Sequence, residues 1–209
     1  MRANSQEHNR GARQRDRTRR LILDAAVLLM RSGVIPTVEE AAKHAEVSAA
    51  TGYRYYRTHG ALIQEAVELA FPDQTQVSLG GGSPEARIDR LMAEGFPRLV
   101  EHEAFDRAVL RLALDQWLRQ NAKRDLREPP VKRPGRKRLV NDILVPLRDR
   151  VSAQRLRRLE LALGMVLGIE SFIALRDIYG ADPGEIREVW RWVCKAMVRS
   201  ALDQKRLAT

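Results

Sequence analysis

Between Thr37 and Ile63 the chain reads TVEEAAKHAEVSAATGYRYYRTHGALI, and its usable chemistry is concentrated in the second half of that run. Thr51, Tyr53, Arg54, Tyr55 and Arg57 bring hydroxyl and guanidinium groups into one short stretch. These are the side chains that hydrogen-bond a DNA backbone. Tyr56 is read as core. Ala49, Ala50, Thr51 and Gly52 stand where such a helix would face base edges, and they are small. Alanine and threonine can recognise a thymine methyl, but no Arg, Asn or Gln is there to make a bidentate base contact.

The elements that must hold these residues are written in the flanking chain. Thr37 and Glu40 form a T-x-x-E capping box, which starts a helix. Ala41, Ala42 and Ala45 give that helix a thin face, and Ser48 is a second N-cap shortly after Val47. Two capped starts this close leave room for a turn, the geometry of a helix-turn-helix. A preceding helix over about 18–32 places Ile22, Ala25, Ala26, Leu29 and Met30 on one face and stops at Gly33. A following helix over about 60–70 carries Leu62, Ile63, Ala66, Val67 and Ala70. Together these stripes predict a small core beneath the exposed helix.

The run V-S-x-x-T-x-Y-x-Y-Y, from Val47, Ser48, Thr51, Tyr53, Tyr55 and Tyr56, followed by Leu62 and Ile63, resembles the DNA-binding domain of the tetracycline-repressor (TetR) family. The segment R-x-x-I-L-D-A-A-x-x-L-M-x-x-G, from Arg19 to Gly33, is similar to that family's first helix. About the first third of the chain carries the resemblance; the rest matches only in helix pattern and length. It implies an all-α protein, a three-helix DNA-binding domain followed by a helical bundle for dimerisation and ligand binding. DNA contacts are then expected from Arg17, Thr37, Ser48, Ala49, Ala50, Thr51, Gly52, Tyr53, Arg54, Tyr55 and His59. It further implies a homodimer paired through its last two long helices, a pseudo-palindromic DNA site, and a repressor released by a small-molecule effector. Four positions depart from the family pattern. His59 replaces a phosphate-binding lysine, Glu46 a turn glycine, Ala41 a larger aliphatic, and Gly52 an aliphatic that normally packs. Gly52 would cost roughly 1 kcal/mol of helix stability against alanine.

Composition sets the outer bounds. The chain has 209 residues and a formal net charge of +10, which favours a polyanionic partner without separating nucleic acid from membrane surface. With one cysteine, Cys194, no internal disulfide forms, and a reducing cytoplasm is the expected location. No apolar signal segment opens the chain, and the longest apolar run, Leu161 to Leu175, contains Glu170 and is too short to span a membrane. An enzyme is not expected: no glycine-rich phosphate loop or G-x-S-x-G elbow occurs, and His8, His44, His59 and His102 lack metal-site spacing. Neither a cofactor nor a metal is expected. Residues 1–16, with Arg2, Arg10, Arg13 and Arg15, are read as a disordered basic arm, either a DNA-groove contact or a solubilising tail.

The DNA-binding domain is placed at 17–71 and the second domain at 84–209, separated by Pro72 and a loose backbone at Gly80, Gly81 and Gly82. Helix resumes after Ser83, with Pro84 and Glu85 in its first turn and a kink or break at Pro97. Further helices are predicted over about 103–120, 136–150, 152–179 and 183–202, and no alternating strand pattern appears. Leu161, Gly164, Gly168, Ile169, Phe172, Ile186, Val189, Trp190, Val193 and Met197 are the candidate dimer residues, or ordinary monomer core. Met92, Phe96, Phe105, Trp117, Met165 and Phe172, with His102, Asp115 and Glu170 as polar anchors, are the candidate ligand residues, or again core. The basic segment 119–138 is read as a loop. Two other readings stay open from sequence: a low-specificity architectural DNA-binding protein, and a TetR-like activator.

Overall fold

In the computed structural model residues 2–70, 77–121 and 135–203 are described, with side chains from Arg13 onward. The protein is all-α, with no strand among the described residues. Two compact units divide it: Met1–Pro72 with Arg107–Lys132, and Asp73–Asp106 with Arg133–Thr209. The second unit therefore lacks residues 107–132, which the expected domain 84–209 had included.

The first unit opens with α1 (Arg2–Arg31). Its helix reaches back through the stretch expected to be a disordered arm. The residues between Arg2 and Arg31 contain no proline, and once Ile22, Ala25, Ala26 and Met30 are buried, each added residue upstream gains a hydrogen bond. At the other end Gly33 takes φ 81°. Its N–H donates to the Met30 carbonyl and that of Val34 to Leu29, a Schellman closure that needs the left-handed glycine. Next come α2 (Val38–His44), α3 (Ala49–Tyr55) and α4 (His59–Ala70). Helix α1 packs on α2 and α4, burying Leu62, Ile63 and Ala66 against its own stripe.

In the second unit the stretch from Val77 to Ser83, expected to be loose, is held in place. Val77 and Leu79 are buried, and Gly80 (φ 59°) and Gly82 (φ 103°) bend the backbone around Arg90, which donates to the Gly81 carbonyl. Ser83 then caps α5 (Pro84–Arg90), its hydroxyl accepting the Ala86 N–H at 3.2 Å. A π-helical turn, Leu91–Gly95, leads into α6 (Phe96–Glu101). Pro97 has no N–H for the preceding turn, and the helix widens just before it instead of ending. Helix α7 (Glu103–Asn121) follows, its residues divided between the two units.

After α8 (Gly135–Leu144) and a 3-10 turn at Val145–Leu147, the single helix expected over 152–179 is broken. It becomes α9 (Ala153–Val166), α10 (Ile169–Ile173) and a second π-helical turn, Ala174–Ile178. Gly168 is extended, and a Cβ there would fall on the Arg136 guanidinium. Arg136 donates to the Gly164 carbonyl at 3.3 Å and pairs with Glu170, while the Ser171 hydroxyl donates to the Val166 and Gly168 carbonyls. The break thus has its freed carbonyls satisfied. Helix α11 (Pro183–Asp203) starts from a reciprocal cap: Asp182 Oδ1 accepts the Glu185 N–H at 3.0 Å and Glu185 accepts the Asp182 N–H at 2.9 Å. It packs on α9 and α5. Asp89 on α5 receives Arg191 at 2.7 Å and Lys195 at 2.8 Å, and these two cations hold its carboxyl below the ordinary range against the opposing effect of burial. Of the segment 119–138, Arg119–Asn121 end α7 and Gly135–Arg138 begin α8. Residues 122–134 lie outside the described part, as do 71–76. No helix among the described residues is long and apolar enough to cross a membrane.

Candidate nucleic-acid interface

The residues expected from sequence to contact DNA sit on a locally determined frame. Thr37 accepts the Glu40 N–H at 3.1 Å, and Glu40 Oε2 accepts the Thr37 N–H at 2.7 Å and its hydroxyl at 2.9 Å. Those two hydrogen bonds from Thr37 hold the Glu40 carboxyl below its ordinary value. At the far end of α2 the Val47 N–H returns to the Ala42 carbonyl at 2.9 Å and that of Glu46 to Lys43 at 3.1 Å. This closure requires a left-handed residue, and Glu46 supplies it at φ 56°. It is the position where the resemblance expects glycine, so the turn is kept with a less suitable residue.

Ser48 opens α3 by accepting the Thr51 N–H at 3.2 Å, and its hydroxyl lies 2.9 Å from that of Thr51. The helix then divides sharply by face. Gly52 is buried against α2: a Cβ would stand 2.9 Å from Ala42 Cβ and 3.1 Å from Val38 Cγ1. Gly52 therefore belongs to the helix–helix contact, not to the base-facing set where the sequence reading placed it. Its expected propensity cost against alanine is offset here, because alanine would push α2 and α3 apart. The small Ala42, fully buried, serves the same close approach.

On the other side Ser48, Ala49, Ala50, Tyr53, Arg54 and Arg57 are exposed, and Thr51 and Tyr55 are half-buried. The Arg54 guanidinium lies over the Tyr55 ring, 5.5 Å from its centroid. Tyr56 is core, as read from sequence, at 3 % exposure. Burial pushes its phenol up to about 12. Its hydroxyl accepts from Arg19 Nε at 3.4 Å, and the same guanidinium pairs with Glu65 at 2.6 Å. Arg19 thus ties α1, the end of α3 and α4 together, and Arg20 pairs with Asp24. Arg13, Arg15 and Arg17 are exposed on α1. His59 is half-buried in the first turn of α4, behind Thr58, whose hydroxyl accepts the Ala61 N–H at 3.2 Å.

The other candidate sets are rearranged by the tertiary structure. Of the ligand residues, Met92, Phe96, Phe105 and Phe172 are buried, but Trp117 is 61 % and Met165 69 % exposed, so these two do not line an interior. Asp115 and Trp117 belong to the first unit and the remainder to the second. Asp115 pairs with Arg111 at 3.8 Å, Glu170 is taken by Arg136, and half-buried His102 caps α6. Of the dimer residues, Ile169, Phe172, Ile186 and Trp190 are buried within the protomer and have no apolar surface left for a partner. Gly168 is buried beneath Arg136. Leu161 and Val189 are exposed, and Gly164, Val193 and Met197 are half-buried. With Met165 and Trp192, the latter 71 % exposed, Leu161 and Val189 form a second apolar stripe on α9 and α11. Trp192, three residues after Val189 on the outer face of α11, was not among the residues read from the sequence.

Cys194 is buried, and burial pushes its thiol up to about 12, as expected for packing and not for a nucleophile. Among the described residues no three His, Cys, Asp or Glu side chains gather as a metal-binding group. Compared with known proteins, the chain matches no family model, no curated protein and no solved structure.

Proposed function

We propose that the protein is a sequence-specific DNA-binding transcriptional regulator of the TetR type, a homodimeric repressor released by a small-molecule effector. The observation that supports this most is the division of α3. One face is locked onto α2 through Gly52, and the other presents Ser48, Ala49, Ala50, Tyr53 and Arg54 to solvent. Such a helix has a fixed aim, small residues that let it approach base edges, and hydroxyl and guanidinium groups at its flanks for phosphate. Exposed Arg13, Arg15 and Arg17 on α1 add sequence-independent attraction.

For the dimer the support is the outer stripe of α9 and α11, with Leu161, Met165, Val189 and Trp192 exposed. A two-fold dimer would match a pseudo-palindromic site, whose half-sites lie about 34 Å apart. An effector that favours one arrangement of the pair would weaken DNA binding, and DNA would weaken effector binding by the same factor. A second reading, an architectural protein of low specificity, is favoured by the apolar vocabulary of Ala49 and Ala50.

Selection of bound sequences from a random DNA pool, followed by footprinting at moderate salt, separates the two. A regulator protects one short two-fold site; an architectural protein protects none preferentially. Absence of any retarded complex at low salt would refute both. Tyr53→Ala should weaken binding to all sites alike while leaving the circular dichroism spectrum unchanged.

A further inference from the structure

Trp190 has a single polar atom, Nε1, and that atom is buried without a hydrogen-bond partner, in a residue 4 % exposed. Buried donors are rarely left unmade, and one that persists calls for an explanation. Two guanidinium nitrogens share the condition, Arg87 Nε and Arg90 Nη1, but those side chains donate through other nitrogens to the Asp142 and Gly81 carbonyls. An indole has no second donor.

Around the indole stand Phe96, 5.5 Å away and edge-on, and Phe172, 6.4 Å away and edge-on, themselves 6.0 Å apart. Neither ring offers a lone-pair acceptor, and a π face is at best a weak substitute for one. A trapped water would gain nothing from them, and a buried water needs several polar partners. Each phenylalanine also adjoins a π-helical turn: Leu91–Gly95 runs directly into Phe96, and Ala174–Ile178 begins two residues after Phe172. Such turns are rare, hold one residue more than an α-helix would, and recur at functional sites. Rewinding one of them to α-helix would swing the neighbouring ring by about 100° around the helix axis, away from its present place against the indole.

We propose that Trp190, Phe96 and Phe172 form a recognition subsite for an uncharged aromatic molecule bearing one hydrogen-bond acceptor, such as a ketone, ether or amide oxygen, which takes the Nε1–H. The rings supply edge and face contacts, and an ionised group would be desolvated against them with nothing to compensate. Such a molecule would be the effector, and to that extent the inference rests on the regulator reading. Its binding is measured without DNA.

The 209-residue chain, labelled with ¹⁵N, gives three indole N–H resonances, from Trp117, Trp190 and Trp192, assigned by Trp→Phe replacement. Acetophenone and isopropylbenzene, alike in size but with and without a carbonyl acceptor, are the probes. The Trp190 resonance should move downfield with acetophenone and show no such downfield change with isopropylbenzene. In Trp190→Phe the preference for acetophenone should fall about tenfold, the worth of one hydrogen bond. Should that variant fail to fold, the two-probe comparison on the unaltered protein decides alone. Saturating acetophenone that leaves the Trp190 resonance in place, or no binding of either probe up to its solubility, overturns the subsite. A protein that binds acetophenone through Trp190 but retards no DNA would keep the subsite and sink the regulator.

Discussion

Glu46→Gly should stabilise the first unit by about 0.5–1 kcal/mol, the left-handed strain relieved less the greater backbone freedom of unfolded glycine. Glu46 stands at φ 56° and cannot relax, because its own N–H and that of Val47 close the end of α2 onto Lys43 and Ala42. A non-glycine residue held left-handed costs roughly 1–2 kcal/mol, and introducing glycine returns part of that as chain entropy, about 0.5–1 kcal/mol. The side chain is exposed, so little packing is lost. Urea unfolding followed by circular dichroism, with the two units fitted as separate transitions, gives the change; a thermal scan should rise by a few degrees. Glu46→Ala is the control, since it removes the same charge and keeps the Cβ. The reasoning fails if glycine destabilises, or if alanine stabilises as much, for then the gain would be electrostatic.

Three further outcomes follow from the same geometry. Gly52→Ala should destabilise by about 1–3 kcal/mol through overpacking, against the helix-propensity trend, and a raised melting temperature would contradict the close contact with Ala42. Because Thr37 holds the Glu40 carboxyl below 4.5, its contribution is present above that value and is lost as pH falls through the depressed folded value; Glu40→Gln should flatten that acid limb, and an unchanged limb would remove the capping box from the account. Replacing both Met165 and Trp192 by lysine should give a monomer in sedimentation velocity with unaltered helix content, whereas a persistent dimer would move the interface elsewhere.

Helix caps were legible in the chain because each is made among neighbours. Thr37 with Glu40, Ser48 with Thr51, and Asp182 with Glu185 satisfy backbone groups within a single turn, so residue type and spacing suffice. The stripes of α1 and α4 and the all-α class followed from periodicity in the same way. The misfit at Glu46 was legible only through the family resemblance, which expects a turn glycine there, and its physical reason, a left-handed φ of 56°, came from the structure.

What the tertiary structure decided depends on partners distant in sequence. Gly52 faces inward only because Val38 and Ala42 come to meet it. The helix over 152–179 breaks at Gly168 where Arg136, from α8, occupies the space and pairs with Glu170, although nothing between Leu161 and Leu175 forbids a continuous helix. Periodicity shows that α9 and α11 have apolar faces, but both their inner and outer stripes are apolar. Only packing assigns Trp190 and Phe172 to the interior and leaves Met165 and Trp192 outside. Burial is a property of the assembled surface and not of one helix, and for that reason the inward face of Gly52 and the unpaired indole of Trp190 became visible only in the fold.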